Sequence, residues 1–186
     1  MIKITTAPIA IIANYRTGSS ALCRSIAAEN KLKPFLEPTI SNERKLDFLK
    51  HYNSNNYVVK FMPDQVNNFK LYQRIIESDC FKIKLTRLDK VSQITSYYIA
   101  LMRDVWRTLS HDMHTPYLLS IDSDKIDQAI DRILMVDRLF DNIDTQFDMV
   151  LNYEDLGFIS NTQAVKTHQP KNLDRIKSMI EKKLGT

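Results

Sequence analysis

Pro8-Ile9-Ala10-Ile11-Ile12-Ala13 followed by Asn14-Tyr15-Arg16-Thr17-Gly18-Ser19-Ser20 is the stretch that decides the fold. A short, unbroken apolar run suits a strand covered on both faces, as in a parallel sheet. Asn14–Gly18 is polar and turn-like. Ser19–Asn30 then reads as a helix with Leu22 and Ile26 turned inward. Gly18 is the only glycine before position 157, and it sits in the first tight turn after the first strand. The first amides of a helix lack partners inside it, and its dipole favours an anion in front of them. Gly18 lets the backbone approach such an anion closely. Ser19 and Ser20 add hydroxyl donors, and Arg16 adds a planar cation. The same residues also suit a plain turn with an N-cap.

Further along, Tyr57–Phe61, Phe81–Thr86 and Met149–Leu151 read as strands. Gln65–Ile76, Asp89–Leu109, Ile126–Ile143 and Leu173–Lys183 read as helices. The long Asp89–Leu109 pattern carries Val91, Ile94, Tyr98, Leu101 and Val105 at spacings of 3, 4, 3 and 4. Strands alternating with helices predict an α/β three-layer domain with a mainly parallel central sheet flanked by helices. Ligands in such sheets sit at the carboxyl ends of the strands.

At 186 residues and 44% hydrophobic, with no low-complexity linker, the chain is expected to form a single domain over 1–186. Its charge of +4 suits an anionic ligand and is too mild for a nucleic-acid binder. No apolar run reaches the length of a membrane span. The N-terminus lacks the pattern of a secretion signal. Two cysteines, Cys23 and Cys80, are too few for a disulfide framework or a metal cluster. A reducing, cytoplasmic setting is the expectation, with Cys23 a buried thiol in an apolar helix.

Ala13–Ser20 has the length of a nucleotide-triphosphate loop, but Ser19 stands where that loop needs its Lys. A second motif, Arg87-Leu88-Asp89-Lys90-Val91-Ser92-Gln93-Ile94-Thr95-Ser96, begins where the Phe81–Thr86 strand ends. Arg87 falls at that strand's carboxyl end, and Ser96 lies two turns into the following helix. Ser92 and Ser96 share one face of it.

Together these two motifs resemble those of the sulfotransferases that use 3′-phosphoadenosine 5′-phosphosulfate (PAPS). In that family a Lys or Arg stands two residues before a Gly that two Ser/Thr residues follow, as in Arg16-Thr17-Gly18-Ser19-Ser20-Ala21. An Arg at a strand end and a Ser eight or nine residues later hold the 3′-phosphate. Arg87, Asp89, Gln93 and Ser96 match the bacterial trehalose sulfotransferase-like branch, as does Trp106. Asn152-Tyr153-Glu154-Asp155-Leu156 resembles a Tyr-Glu-Asp-Leu motif, in which Glu154 and Asp155 are expected to cap the next helix.

The resemblance implies a P-loop-type fold and sulfuryl transfer from PAPS to a hydroxyl of a carbohydrate or small-molecule acceptor. The product would be 3′,5′-adenosine bisphosphate (PAP), and no metal would be required. Arg16, Thr17, Gly18, Ser19, Ser20, Ala21, Arg87 and Ser96 are the implied nucleotide contacts, with Arg16 at the leaving oxygen. Met62 in Lys60-Phe61-Met62-Pro63 stands where the eukaryotic branch has a histidine base. The trehalose-type branch has instead a Glu about twenty residues beyond the loop Arg, and Glu37 lies 21 after Arg16. Glu37 is therefore the candidate base and Lys60 a candidate contact to the sulfuryl group.

Lys166 and Lys171 lie in a basic segment that can close over a nucleotide. His111 and His114 read as a surface loop beside the acceptor. Two alternatives stay open: a kinase acting on small molecules through a degenerate loop, and a non-catalytic nucleotide-binding module of the same fold.

Overall fold

The computed structural model describes residue 4 and residues 8–66, 69–104, 117–143, 145–157 and 169–186. Strand β1 (Ile9–Ala13) lies at the centre, and all five of its residues are buried, as a two-faced apolar strand must be. It leads into α1 (Ser19–Asn30), β2 (Lys33–Leu36), α2 (Asn42–Tyr52), β3 (Tyr57–Phe61), α3 (Pro63–Val66) and α4 (Lys70–Glu77). Then come β4 (Phe81–Thr86), α5 (Lys90–Arg103), α6 (Ser123–Leu139), β5 (Met149–Asn152) and α7 (Leu173–Leu184). The strands form one sheet in the order β2-β3-β1-β4-β5. Every pairing in it is parallel.

Alternation along the strands sends Ile9, Ile11, Ala13, Val58, Ile83 and Leu85 to one face, where Leu22, Cys23, Ile26 and Ala27 of α1 cover them. The other face presents Ala10, Ile12, Val59 and Phe61 to Phe48 of α2, to Tyr72, Ile75 and Ile76 of α4, and to Phe140. This is the three-layer α/β architecture that the sequence implies. A third cluster joins α5, α6 and α7 through Ile94, Tyr98, Ile126, Ile130, Ile133, Ile176 and Ile180. Cys23 is buried as expected, and burial pushes its thiol up to about 12.

Several elements differ from the sequence reading. Lys33–Leu36 is an edge strand paired with β3. Pro34 is tolerated there because the outer edge of the sheet requires no amide donor. Helix α2 escapes a periodicity reading because Phe48 is its only buried residue, while Leu46 and Leu49 are exposed. Its start is nonetheless ordinary, with the Ser41 side chain accepting from the Arg44 amide at 3.3 Å. The single helix expected over Gln65–Ile76 is two, α3 and α4, with Phe69 in extended backbone at the start of the second. Asn67 and Asn68, which separate them in sequence, are weak helix formers. Helix α5 ends at Asp104, whose left-handed backbone caps it; the rest of Asp89–Leu109 lies outside the described residues.

Phe48 fixes α2 to the sheet through edge contacts with Phe35 and Tyr57 at centroid distances of 5.0 and 5.1 Å, and it also meets Tyr52 of its own helix at 5.8 Å. Its truncation, Phe48→Ala, would leave a cavity in a fully buried aromatic cluster. The loss should be about 3–5 kcal/mol, read as a lowered urea midpoint with an unchanged slope.

Candidate functional site

The strand order creates a crevice. The connection after β1 leads past β3 to β2, whereas the connection after β4 leads outward to β5, so the two diverge at the β1–β4 boundary. Both sequence motifs open at that boundary.

The loop after β1 is locked from three directions. Asn14, 1% exposed, donates from Nδ2 to the Ile133 carbonyl and to Asp137 Oδ1, both at 2.8 Å, and accepts from the Tyr15 amide at 2.6 Å. Tyr15 receives a hydrogen bond from Arg132 Nη2 at 2.7 Å and donates to Asp64 Oδ2 at 3.1 Å, while Arg132 pairs with Asp64. Burial, with Asp64 nearby, pushes the Tyr15 hydroxyl up to about 12 despite the bond from Arg132. From α5, buried Gln93 donates to the Tyr15 carbonyl at 2.7 Å. Arg16 (φ 59°) and Gly18 (φ 73°) both take the left-handed conformation, and this tight folding brings the start of α1 to the loop. Gly18 adopts it without steric cost.

Ala21 and Leu22 amides close on the Gly18 carbonyl at 3.0 and 3.1 Å. Among the described residues, the amides of Gly18, Ser19 and Ser20 have no acceptor. They are the donors a helix start offers to an anion. The Thr17 hydroxyl is spent internally, donating to the Asn14 carbonyl at 2.8 Å. Only its backbone remains for a ligand.

Sheet register carries the second motif to the same place. Ala13 pairs with Leu85, and Thr86 with Asn152. One step beyond, Arg87 stacks over the Tyr153 ring at 4.5 Å and donates from Nη1 to the Arg16 carbonyl at 3.1 Å. Its Nε is sealed from solvent with no hydrogen-bond partner among the described residues, and Glu154 Oε1 lies at 3.9 Å. Arg16 donates from Nε to Ser96 Oγ at 2.9 Å. Ser96 accepts there, so its own proton stays available to a ligand. Desolvation, together with the charge of Arg87, lowers the Arg16 pKa. Two cations packed this closely favour an anion between them.

Glu154 caps the segment that leads into α5, while the residues it is expected to cap after it lie largely outside the described residues. Its two oxygens each accept at 3.1 Å from the Leu88 and Asp89 amides, which precede α5. Asp155 is engaged by Asn152 Nδ2 at 3.1 Å. Asp89 in turn caps α5 by accepting from the Ser92 amide at 2.9 Å.

On the other side of β1, Glu37 and Lys60 meet. Register pairs Leu36 with Lys60, so the Glu37 amide reaches the Lys60 carbonyl at 2.8 Å. The Lys60 ammonium, 6% exposed, pairs with Glu37 Oε1. Glu37 holds a left-handed backbone (φ 51°), which is costly for a residue with a side chain and recurs at functional sites.

Not every candidate joins this edge. Ala21 is exposed, with its amide already used, and Lys171 is exposed beside α7. Trp106, His111, His114, His168 and Lys166 lie outside the described residues. Among the described residues, no three His, Cys, Asp or Glu side chains gather to hold a metal ion. No described helix is long and apolar enough to cross a membrane. Asn14, Tyr153 and the backward reach of Glu154 were missed as site residues, since each acts through a partner remote in sequence. No protein-family model matches the chain, and no curated protein matches it by sequence.

Burial raises the Glu154 pKa, but the Leu88 and Asp89 amides and the Arg87 charge outweigh it, and the net shift is downward. A carboxylate depressed in the folded state stabilises above its unfolded pKa and loses that contribution as pH falls through the folded value. Glu154→Ala should therefore cost about 1 kcal/mol near neutral pH. The gap to wild type should close as urea titrations move below the ordinary carboxylate range, and a gap independent of pH would exclude the ionised cap.

Proposed function

We propose that the chain is a PAPS-dependent sulfotransferase acting on a hydroxyl acceptor. The observation that carries this reading is the meeting of Arg16, Arg87 and Ser96 beside the free amides at the start of α1. A site with two anion-seeking ends suits a nucleotide phosphorylated at both the 3′ and 5′ positions. The residues fit such a ligand, because Arg87 Nε is buried without an acceptor among the described residues and Ser96 has a proton to donate.

PAPS would supply the sulfuryl group, with a phosphate as its leaving group. The amides of Gly18, Ser19 and Ser20 and the two serine hydroxyls would bind that 5′ end. Arg87 and Ser96 would hold the 3′-phosphate. Arg16, bonded through Nε to Ser96, would place its charge at the leaving oxygen as that oxygen becomes negative. Glu37 would take the proton of the acceptor hydroxyl. Lys60 would orient that carboxylate and place a cation beside the departing charge. Ser19 in place of a loop Lys argues against a kinase.

The base assignment is tested by Glu37→Gln, which keeps the shape of the side chain but cannot accept the proton. Transfer of labelled sulfate from PAPS into a panel of alcohols should fall about 10²–10⁴-fold, with PAP affinity retained. Undiminished turnover would move the base elsewhere.

Nucleotide discrimination tests the site itself. Arg87→Ala and Ser96→Ala should each weaken PAP binding roughly 10- to 100-fold, Arg87 more. Adenosine 5′-phosphosulfate, lacking a 3′-phosphate, should bind both variants as it binds wild type. Calorimetric titration decides it. Equal losses for both ligands would mean a collapsed site, and no loss for PAP would end the assignment.

A further inference from the structure

Between the outer edge of β2 and helix α2 lies a cavity of about 180 Å³, lined by Pro34, Phe35, Leu36, Pro38, Arg44 and Asp47. Its strand wall runs directly into Glu37, and Pro38 continues the wall on the far side of that residue. Four of the six lining residues are apolar, and the other two are one cation and one acid.

The two charged groups do not neutralise each other. Asp47 is taken by Lys33 Nζ at 2.9 Å. Arg44 Nη1 is sealed from solvent and has no hydrogen-bond partner among the described residues. A buried guanidinium N–H without an acceptor carries a desolvation penalty that a bound anion would remove. Arg44 itself lines the cavity. A planar guanidinium matches a carboxylate through two parallel hydrogen bonds. The volume corresponds to roughly six water-sized groups, which suits a short aliphatic chain rather than a ring system.

We infer that this cavity seats the carboxylate end of the acceptor, which is a small aliphatic hydroxy acid. The inference rests on the sulfuryl-transfer reading and narrows it. Arg44 holds the carboxylate, the Pro34, Leu36 and Pro38 wall contacts the hydrocarbon, and the hydroxyl extends along the strand toward Glu37. A neutral sugar would leave Arg44 uncompensated, so acids are preferred over their amides.

The test uses 3-hydroxybutyrate, 4-hydroxybutyrate and the corresponding amides, titrated by ligand-detected NMR into wild type, Arg44→Gln and Arg44→Lys. PAP titration of each variant runs alongside as a control for folding. At least one acid should bind wild type tenfold or more tightly than its amide. Arg44→Gln should lose about 10- to 100-fold in acid affinity with the amide unaffected, and Arg44→Lys should recover part of that loss. Acids and amides binding alike, or an undiminished Arg44→Gln variant, would overturn the inference. PAP binding without any acid binding would overturn it too, leaving the sulfotransferase reading intact. Acid binding through Arg44 by a protein that ignores PAP would instead remove the acceptor role together with the sulfuryl-transfer reading.

Discussion

Arg16 and Arg87 meet where β1 and β4 end, near enough for the charge of Arg87 to lower the Arg16 pKa, and holding them there is the constraint around which this edge of the molecule is built. Like charges in a desolvated place repel, so each needs compensation from neutral dipoles and nearby acids. Arg87 lies on the Tyr153 face, bonds to a carbonyl of the loop it faces, and has Glu154 at ion-pair distance. Arg16 leans on the Ser96 hydroxyl. The compensation is incomplete, since Arg87 Nε lacks a hydrogen-bond partner among the described residues.

That arrangement survives because the loop beneath it cannot relax. Asn14 ties the end of β1 to the last turns of α6, and Asp137 also receives Lys90 at 2.6 Å, joining α5 to the same anchor. Gln93 closes the third side by bonding the Tyr15 carbonyl. The α5–α6–α7 cluster therefore does more than add apolar burial. It clamps a loop in which left-handed Arg16 would otherwise have a cheaper conformation.

The strand–turn–helix around Gly18 was readable from sequence because each part obeys local rules: an apolar run, a lone glycine, and hydroxyl residues opening a helix. Arg87 and Ser96 were readable for the same reason, sitting at one strand end and two turns into one helix. The features that escaped depend on contacts between distant segments. Edge strand β2 contains a proline and only four residues, and it is a strand because β3 pairs with it. Helix α2 buries one side chain, leaving periodicity nothing to detect. Glu154 looks like a cap for the residues after it, but the register of β5 beside β4 sets it against the amides before α5. The internal bond of the Thr17 hydroxyl depends on a turn geometry that the residue names alone do not specify.

Strand order also orders the chemistry. Along the carboxyl edge, from β2 to β4, come Glu37, Lys60, the loop with its free amides, and then Arg87. Adjacent strands lie about 4.8 Å apart, so Glu37 stands two spacings, roughly 10 Å, from the strand that feeds the Asn14–Gly18 loop. Lys60, on the intervening strand, is buried and directed at Glu37. It therefore fixes a positive charge beside that carboxylate at the carboxyl end of β3. In the sulfuryl-transfer reading, an in-line displacement needs the attacking oxygen, the sulfur and the leaving oxygen along one line, with the base beside the attacking oxygen. A parallel sheet provides such a line at no added conformational cost, because its spacing is set by backbone hydrogen bonds and not by the side chains that do the chemistry.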